Sequence, residues 1–139
     1  MNNFKLHFTV PGDDFTRAGE ASGSVKKTLK DLGFNPEIVR KCVIALYEAE
    51  INLVIHAGGG EIDVEISPEC ISMVLTDQGP GIPDVEMAMK EGYSTAPDNV
   101  RSLGFGAGMG LPNMKKNSDT MDIETTLGVG TTVTMTVNI

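Results

Sequence analysis

The stretch PEIVRKCVIALYEAEINLVIHAGGGEIDVEIS, residues 36–67, decides the fold. Asn35, Pro36 and Glu37 read as an N-cap, a proline at the first helical position and an acidic first turn. Ile38, Val39, Val43, Ile44, Leu46, Ile51, Leu53, Val54 and Ile55 make the helix that follows apolar nearly all round. Such a helix is expected to run to about Ala57 and to lie buried against a sheet. Gly58, Gly59 and Gly60 stop it, and EIDVEIS (residues 61–67) opens a strand.

On the N-terminal side, Phe4, Leu6, Phe8 and Val10 alternate with polar residues, which predicts a half-buried strand closed by Pro11 and Gly12. Asp13 or Asp14 can cap a first helix running to about Leu32, with Gly33 just past its end. Gly19 and Gly23 weaken its interior. On the C-terminal side, CISMVLT (residues 70–76) pairs as a second strand around a turn at Pro68 and Glu69. A short helix is expected from Pro83 to about Lys90. Residues 93–110 show no periodicity and read as a long loop, a length that usually serves function. A helix near Leu111 and Pro112 precedes strands at about 119–125 and 131–138, joined by Gly128, Val129 and Gly130. This order predicts an α/β (α+β) two-layer sandwich: a mixed, mostly antiparallel sheet with helices on one face.

The chain has 139 residues, a length that suits one domain over 1–139. With 19 Asp and Glu against 11 Lys and Arg, its net charge is −8. Phosphate contacts need clustered cations, so no nucleic acid is expected as partner, and no anionic membrane. Cys42 and Cys70 sit in apolar runs without partners at metal or redox spacing, which suits buried thiols in a reducing compartment. The opening MNNFKLHFTVPGDD lacks the pattern of a secretory leader, and no apolar run reaches the ~18 residues that span a bilayer. A soluble, cytoplasmic protein is expected. Glycine is enriched at 16 residues, seven of them between positions 79 and 110, where backbone can approach a ligand.

Four constellations stand out. Glu48, Asn52 and His56 recur every four residues, forming a stripe about 80° wide on an otherwise apolar helix. It is either a helix edge facing water or a site in which Asn52 offers oxygen to a hard cation while Glu48 orients or deprotonates a hydroxyl. Asp77, Gln78, Gly79, Pro80 and Gly81 follow a strand. They make either an ordinary turn or a carboxylate that accepts a bond from an exocyclic amine, beside glycines that admit a flat ring. Gly104 to Leu111 is a glycine-rich run into a helix, suited to phosphate, yet it fits neither the P-loop nor the dinucleotide fingerprint. Gly128, Gly130, Thr131 and Thr132 alone read as a hairpin with a bulge.

In this order, Glu48-Ala49-x-x-Asn52, Asp77-x-Gly79-x-Gly81, Gly106-x-Gly108-x-Gly110-Leu111 and Gly130-Thr131 resemble the nucleotide boxes of the gyrase, histidine kinase and MutL (GHKL) ATPase superfamily. The resemblance covers about residues 36–138. IHAGGGEIDVEI, DQGPGIPD, EGYST and GAGMGLPNMKK look most like the anti-sigma-factor serine kinases of the RsbW and RsbT type. It implies the Bergerat ATP-binding fold with a flexible ATP lid at about 93–109, binding ATP or ADP with Mg²⁺. By resemblance, Asp77 binds the adenine amino group with Thr131 through water, and Asn52 holds Mg²⁺. Gly108 and Gly110 give amides to the phosphates, Gly79, Gly81, Gly106 and Leu111 complete the cofactor contacts, and Glu48 is the catalytic base. His56 matches a common histidine of the family. Glu50, by contrast, points to the buried face with no partner evident in the sequence, and the resemblance assigns no role to Asp98 and Arg101 in the long lid.

At 139 residues, neither the extra domains of gyrase-like members nor the phosphoacceptor helices of sensor kinases are expected. The expected function is therefore a regulatory serine/threonine kinase that phosphorylates a hydroxyl of a STAS-type antagonist protein and sequesters a sigma factor. The alternative is a nucleotide-dependent binding switch without turnover. Homodimers occur in such kinases, and nothing in these residues fixes that state.

Overall fold

The computed structural model describes residues 3–12, 17–82, 85, 89 and 110–139, with only the backbone of His56. The element order is β1 (Phe4–Pro11), α1 (Glu20–Asp31), α2 (Pro36–His56), β2 (Gly59–Ile66), β3 (Cys70–Asp77), α3 (Gly110–Lys116), β4 (Thr120–Thr126) and β5 (Gly130–Asn138). The five strands form one sheet in the order β1-β2-β3-β5-β4, and every described pairing is antiparallel. The expected two-layer architecture is present, with the sheet at the antiparallel limit.

The helix that decides the fold forms as its sequence dictates. The Asn35 side chain accepts the amide of Glu37 at 2.8 Å, Pro36 occupies the first position, and the helix ends before Ala57. Val39, Cys42, Ala45, Leu46, Ala49, Leu53 and Val54 are buried in the core with Ile62, Val64, Ile71, Met73, Leu75, Met135 and Val137 from the sheet. Burying a side chain of this size contributes roughly 1.5–3 kcal/mol, so this interface is the main source of stability.

The opposite sheet face follows from the strand period of two. Thr9, Glu61, Thr76, Thr132 and Glu124 form one cross-strand row, and His7, Asp63, Val74, Thr134 and Asp122 the next. Its residues are exposed or half-buried, so only one face of the sheet carries the core.

α1 starts later than its sequence suggests. Gly19, at φ +99°, sits at the N-cap position without a side-chain cap, and Glu20 is the first helical residue. At the far end Gly33, at φ +82°, lies just past the helix as expected. Asp13 and Asp14 lie outside the described residues. Of the short helix expected from Pro83, Val85 and Met89 are described, and the Met89 amide donates to the Val85 carbonyl at 3.0 Å, one helical turn apart. The lid expected at 93–109, with Gly106 and Gly108, lies outside the described residues.

Candidate functional site

Asp77 is the last residue of β3, and its register partner on β5 is Thr131. One carboxylate oxygen, Oδ1, accepts two backbone amides: Gly79 at 2.8 Å and Thr131 at 3.2 Å. The first closes the turn after the strand and the second ties that turn to β5, so the carboxylate is fixed from both sides. No described residue bonds the other oxygen, Oδ2. Two amide donors on one oxygen hold the carboxylate as an acceptor of fixed orientation.

The glycines around Asp77 are required by packing. A Cβ on Gly79 would stand 2.8 Å from the Cα of Ala57, just after α2. On Gly81, at φ +83°, it would meet the Thr126 carbonyl oxygen at 2.8 Å. The loop is therefore seated against both the end of α2 and the β4–β5 turn. The Gly128 amide donates to the Pro80 carbonyl at 2.9 Å, and the Ile82 amide to Thr125 Oγ1 at 2.8 Å. Thr125 Oγ1 in turn lies 2.9 Å from Thr131 Oγ1. The hydroxyl of buried Thr131 is thus oriented by its neighbour rather than by a distant group.

Glu48 and Asn52 lie one turn apart on α2, both half-buried. Asn52 Nδ2 donates to the sulfur of Met114 on α3 at 3.7 Å. That contact assigns the amide orientation and leaves Oδ1 without a described donor. Gly110 opens α3 directly against this amide: a Cβ there would stand 3.1 Å from Nδ2 and 3.2 Å from Oδ1 of Asn52. Leu111 is buried beside it, anchoring the start of the helix. Glu48 forms no hydrogen bond or ion pair with a described residue, so it is an available acceptor. Among the described residues no cluster of three His, Cys, Asp or Glu could hold a metal. A cation here would need oxygen from Asn52 together with oxygens of a ligand, the usual arrangement for magnesium on phosphates.

The site residues thus fall into two described groups. Asp77, Gly79, Gly81 and Thr131 form one, at the ends of β3 and β5. Glu48, Asn52, Gly110 and Leu111 form the other, where α2 meets α3. Thr125 and Met114, which orient Thr131 and Asn52, carry no motif that the sequence could reveal. Cys42 stands apart: it is fully buried, and burial pushes its thiol up to about 12, which leaves it inert as a nucleophile. No helix among the described residues is long and apolar enough to cross a membrane.

Comparison with known proteins gives the family. A family model described as histidine kinase-, DNA gyrase B-, and HSP90-like ATPase matches residues 37–139. The serine/threonine-protein kinase RsbT of Bacillus subtilis is 30% identical over 112 residues, covering 78% of each chain. An anti-sigma F factor of a Thermoanaerobacter species is 35% identical over 100 residues, which cover 72% of this chain and 62% of that protein. Among solved structures, a Mycobacterium tuberculosis chain with RsbU and RsbW domains superposes with a TM-score of 0.64 at 16% identity. That match covers 96% of this chain and 32% of the other, and it speaks for the fold alone.

Proposed function

We propose, because this chain belongs to the histidine kinase-, DNA gyrase B- and HSP90-like ATPase family, and within it to the kinases and anti-sigma factors of the RsbT and RsbW kind, that it is an ATP-dependent serine/threonine kinase of a partner protein. The acceptor is a hydroxyl on a small STAS-type antagonist, and a sigma factor is the protein held in its place; both belong to the cytoplasm.

The observation that carries this reading is the Asp77 carboxylate, fixed by the Gly79 and Thr131 amides on one oxygen and without a partner among the described residues on the other. An acceptor held at a strand end, in a loop that Gly79 and Gly81 allow to seat tightly against its neighbours, suits the exocyclic amine of adenine. Asn52 suits magnesium, because its Nδ2 is engaged by Met114 and its oxygen has no donor among the described residues. Bound Mg-ATP would supply an electrophilic phosphoryl group with its charge partly neutralised. Asp77 would select the base, with Thr131 and its Thr125-oriented hydroxyl beside it. Gly110, with Gly108 ahead of it, would offer backbone amides to the phosphates. Glu48 would accept the proton of the attacking hydroxyl, one turn along α2 from Asn52.

Labelled ATP with magnesium and a purified STAS protein tests the proposal. Label on a serine or threonine of the partner supports it. Tight nucleotide binding with an unlabelled partner supports a nucleotide-dependent switch instead. No calorimetric heat with either ADP or ATP refutes both.

A further inference from the structure

Away from these residues, a groove of about 420 Å³ runs between α1 and α2. Half-buried Phe34, Val43 and Ile44 line it, and exposed Lys26, Lys30 and Arg40 border them. The two helices are antiparallel, since Gly19 at the start of α1 lies beside Tyr47 and Glu50, late in α2. Tyr47 is 38% exposed and lies one turn beyond Val43 and Ile44, extending the apolar stripe of α2.

The charge here runs against the rest of the molecule. In a chain of net charge −8, three of the 11 cations collect around one apolar groove. Lys26 and Lys30 are one turn apart on α1, a like-charge spacing that disfavours a helix by itself. Neither is bonded to a carboxylate among the described residues, and Arg40 meets only Glu37, at 3.3 Å on its own helix. The groove is therefore apolar at its floor and positive at its edges, with its positive charge largely unneutralised.

The geometry points to a docking site for an acidic amphipathic helix of a partner protein. A groove between two antiparallel helices accepts the side-chain ridge of a third. Phe34, Val43 and Ile44 would take the aliphatic ridge, and Lys26, Lys30 and Arg40 would take carboxylates flanking it. A second copy of this chain suits the groove poorly. Five of its carboxylates, exposed Glu61, Asp63, Asp122 and Glu124 with half-buried Glu65, lie on a sheet face, interspersed with threonines rather than alongside an aliphatic ridge. This surface is separate from the nucleotide residues, so the docking proposal does not rest on the kinase reading, and ADP affinity reads that reading independently.

The test uses two synthetic helical peptides with the same leucine ridge, one flanked by glutamates and one by lysines. Binding to the full chain is followed by fluorescence anisotropy and amide NMR shifts. The glutamate peptide is expected to bind, in a salt-sensitive way, with shifts centred on Lys26, Lys30, Phe34 and Val43. The double variant Lys26→Glu, Lys30→Glu should lose about tenfold or more in affinity for it and gain affinity for the lysine peptide. Val43→Ser should weaken the glutamate peptide without gaining the other. Thermal unfolding of each variant confirms that it folds, and ADP affinity should be unchanged. Equal affinity of wild type and the double variant, or shifts centred elsewhere, overturns the proposal. So does a peptide-free dimer in sedimentation that the double variant abolishes, which would give the groove to a second copy.

Discussion

Glu50 on α2 accepts the amide of Ser22 on α1 at 3.1 Å, across 28 positions of sequence. Its other oxygen accepts the amides of Gly19 at 3.0 Å and Ala21 at 3.2 Å. Three donors at the start of α1 are thereby satisfied by one carboxylate that is 2% exposed. The helix has no cap from its own N-cap residue, because Gly19 carries no side chain. Glu50 supplies that cap from a neighbouring helix.

Glu50→Gln keeps the shape but turns an NH₂ toward amide donors. It should destabilise the protein by about 2 kcal/mol, and Glu50→Ala by about 3 kcal/mol, measured as a shift in denaturant midpoint at constant slope. A loss below about 0.5 kcal/mol in both would mean that water replaces the carboxylate.

Asp77→Asn should retain the two amide bonds on Oδ1 while presenting a donor where the carboxylate had an acceptor. Stability should fall by less than about 1 kcal/mol, while ADP affinity falls at least about tenfold. Unchanged ADP affinity by calorimetry would remove Asp77 from the adenine role.

Asn52→Ala separates metal from nucleotide. Mg-ATP should be weakened far more than ATP in chelator, because the side-chain oxygen is assigned to the ion. Equal losses in the two titrations would leave Asn52 as a packing partner of Met114 and Gly110.

Two glycines give opposite results on substitution. Gly130 has φ +151°, and a Cβ there would stand 2.1 Å from the Asp77 carbonyl oxygen, so Gly130→Ala should cost more than about 2 kcal/mol. Gly23, inside α1, has nothing within 4 Å of such a Cβ. Gly23→Ala should stabilise by about 0.5–1 kcal/mol, through helix propensity alone. Denaturation midpoints distinguish the two directly.

His7 carries a readable pH signature. Its Nδ1 lies 2.6 Å from Asp63 Oδ1 across β1 and β2, and its Nε2 lies 3.7 Å from Glu61. The hydrogen bond to Asp63, with the charges of both carboxylates, raises the imidazole above its ordinary 6.5. The charged pair therefore favours the folded state fully below pH 6.5, and this contribution is lost as pH rises through the raised value. NMR titration of His7 in Asp63→Asn should show its midpoint falling back toward 6.5. A midpoint that does not move would remove Asp63 as the cause.

The helix over 36–56 and the strands on either side of it were legible because cap, proline, apolar run and glycine stop all agree locally. The pairing of β3 with β5 was not, since it joins segments separated by α3 and β4 and depends on which edge the last strand finds. For the same reason the sequence could place Glu50 on a buried face but not name its partner, which lies on another helix. Gly19 shows a subtler failure. As a residue it reads as a weak spot within a helix, whereas its positive φ makes it the point where α1 begins. In the candidate site the residues named by motif, Asn52, Asp77 and Thr131, lie among the described residues with identified neighbours. The groups that orient them, Met114 and Thr125, are ordinary core and strand residues, invisible without coordinates.

β5 follows β4 in the chain yet lies between β3 and β4. A nascent polypeptide therefore cannot close its sheet until residues 130–138 have left the ribosome tunnel, and until then β3 and β4 each present a bare edge to other chains. The amide of Thr131 arrives in the same final segment. Closure of the sheet and completion of the Asp77 anchor are one event, so a stalled or clipped product that ends before Gly130 should have neither.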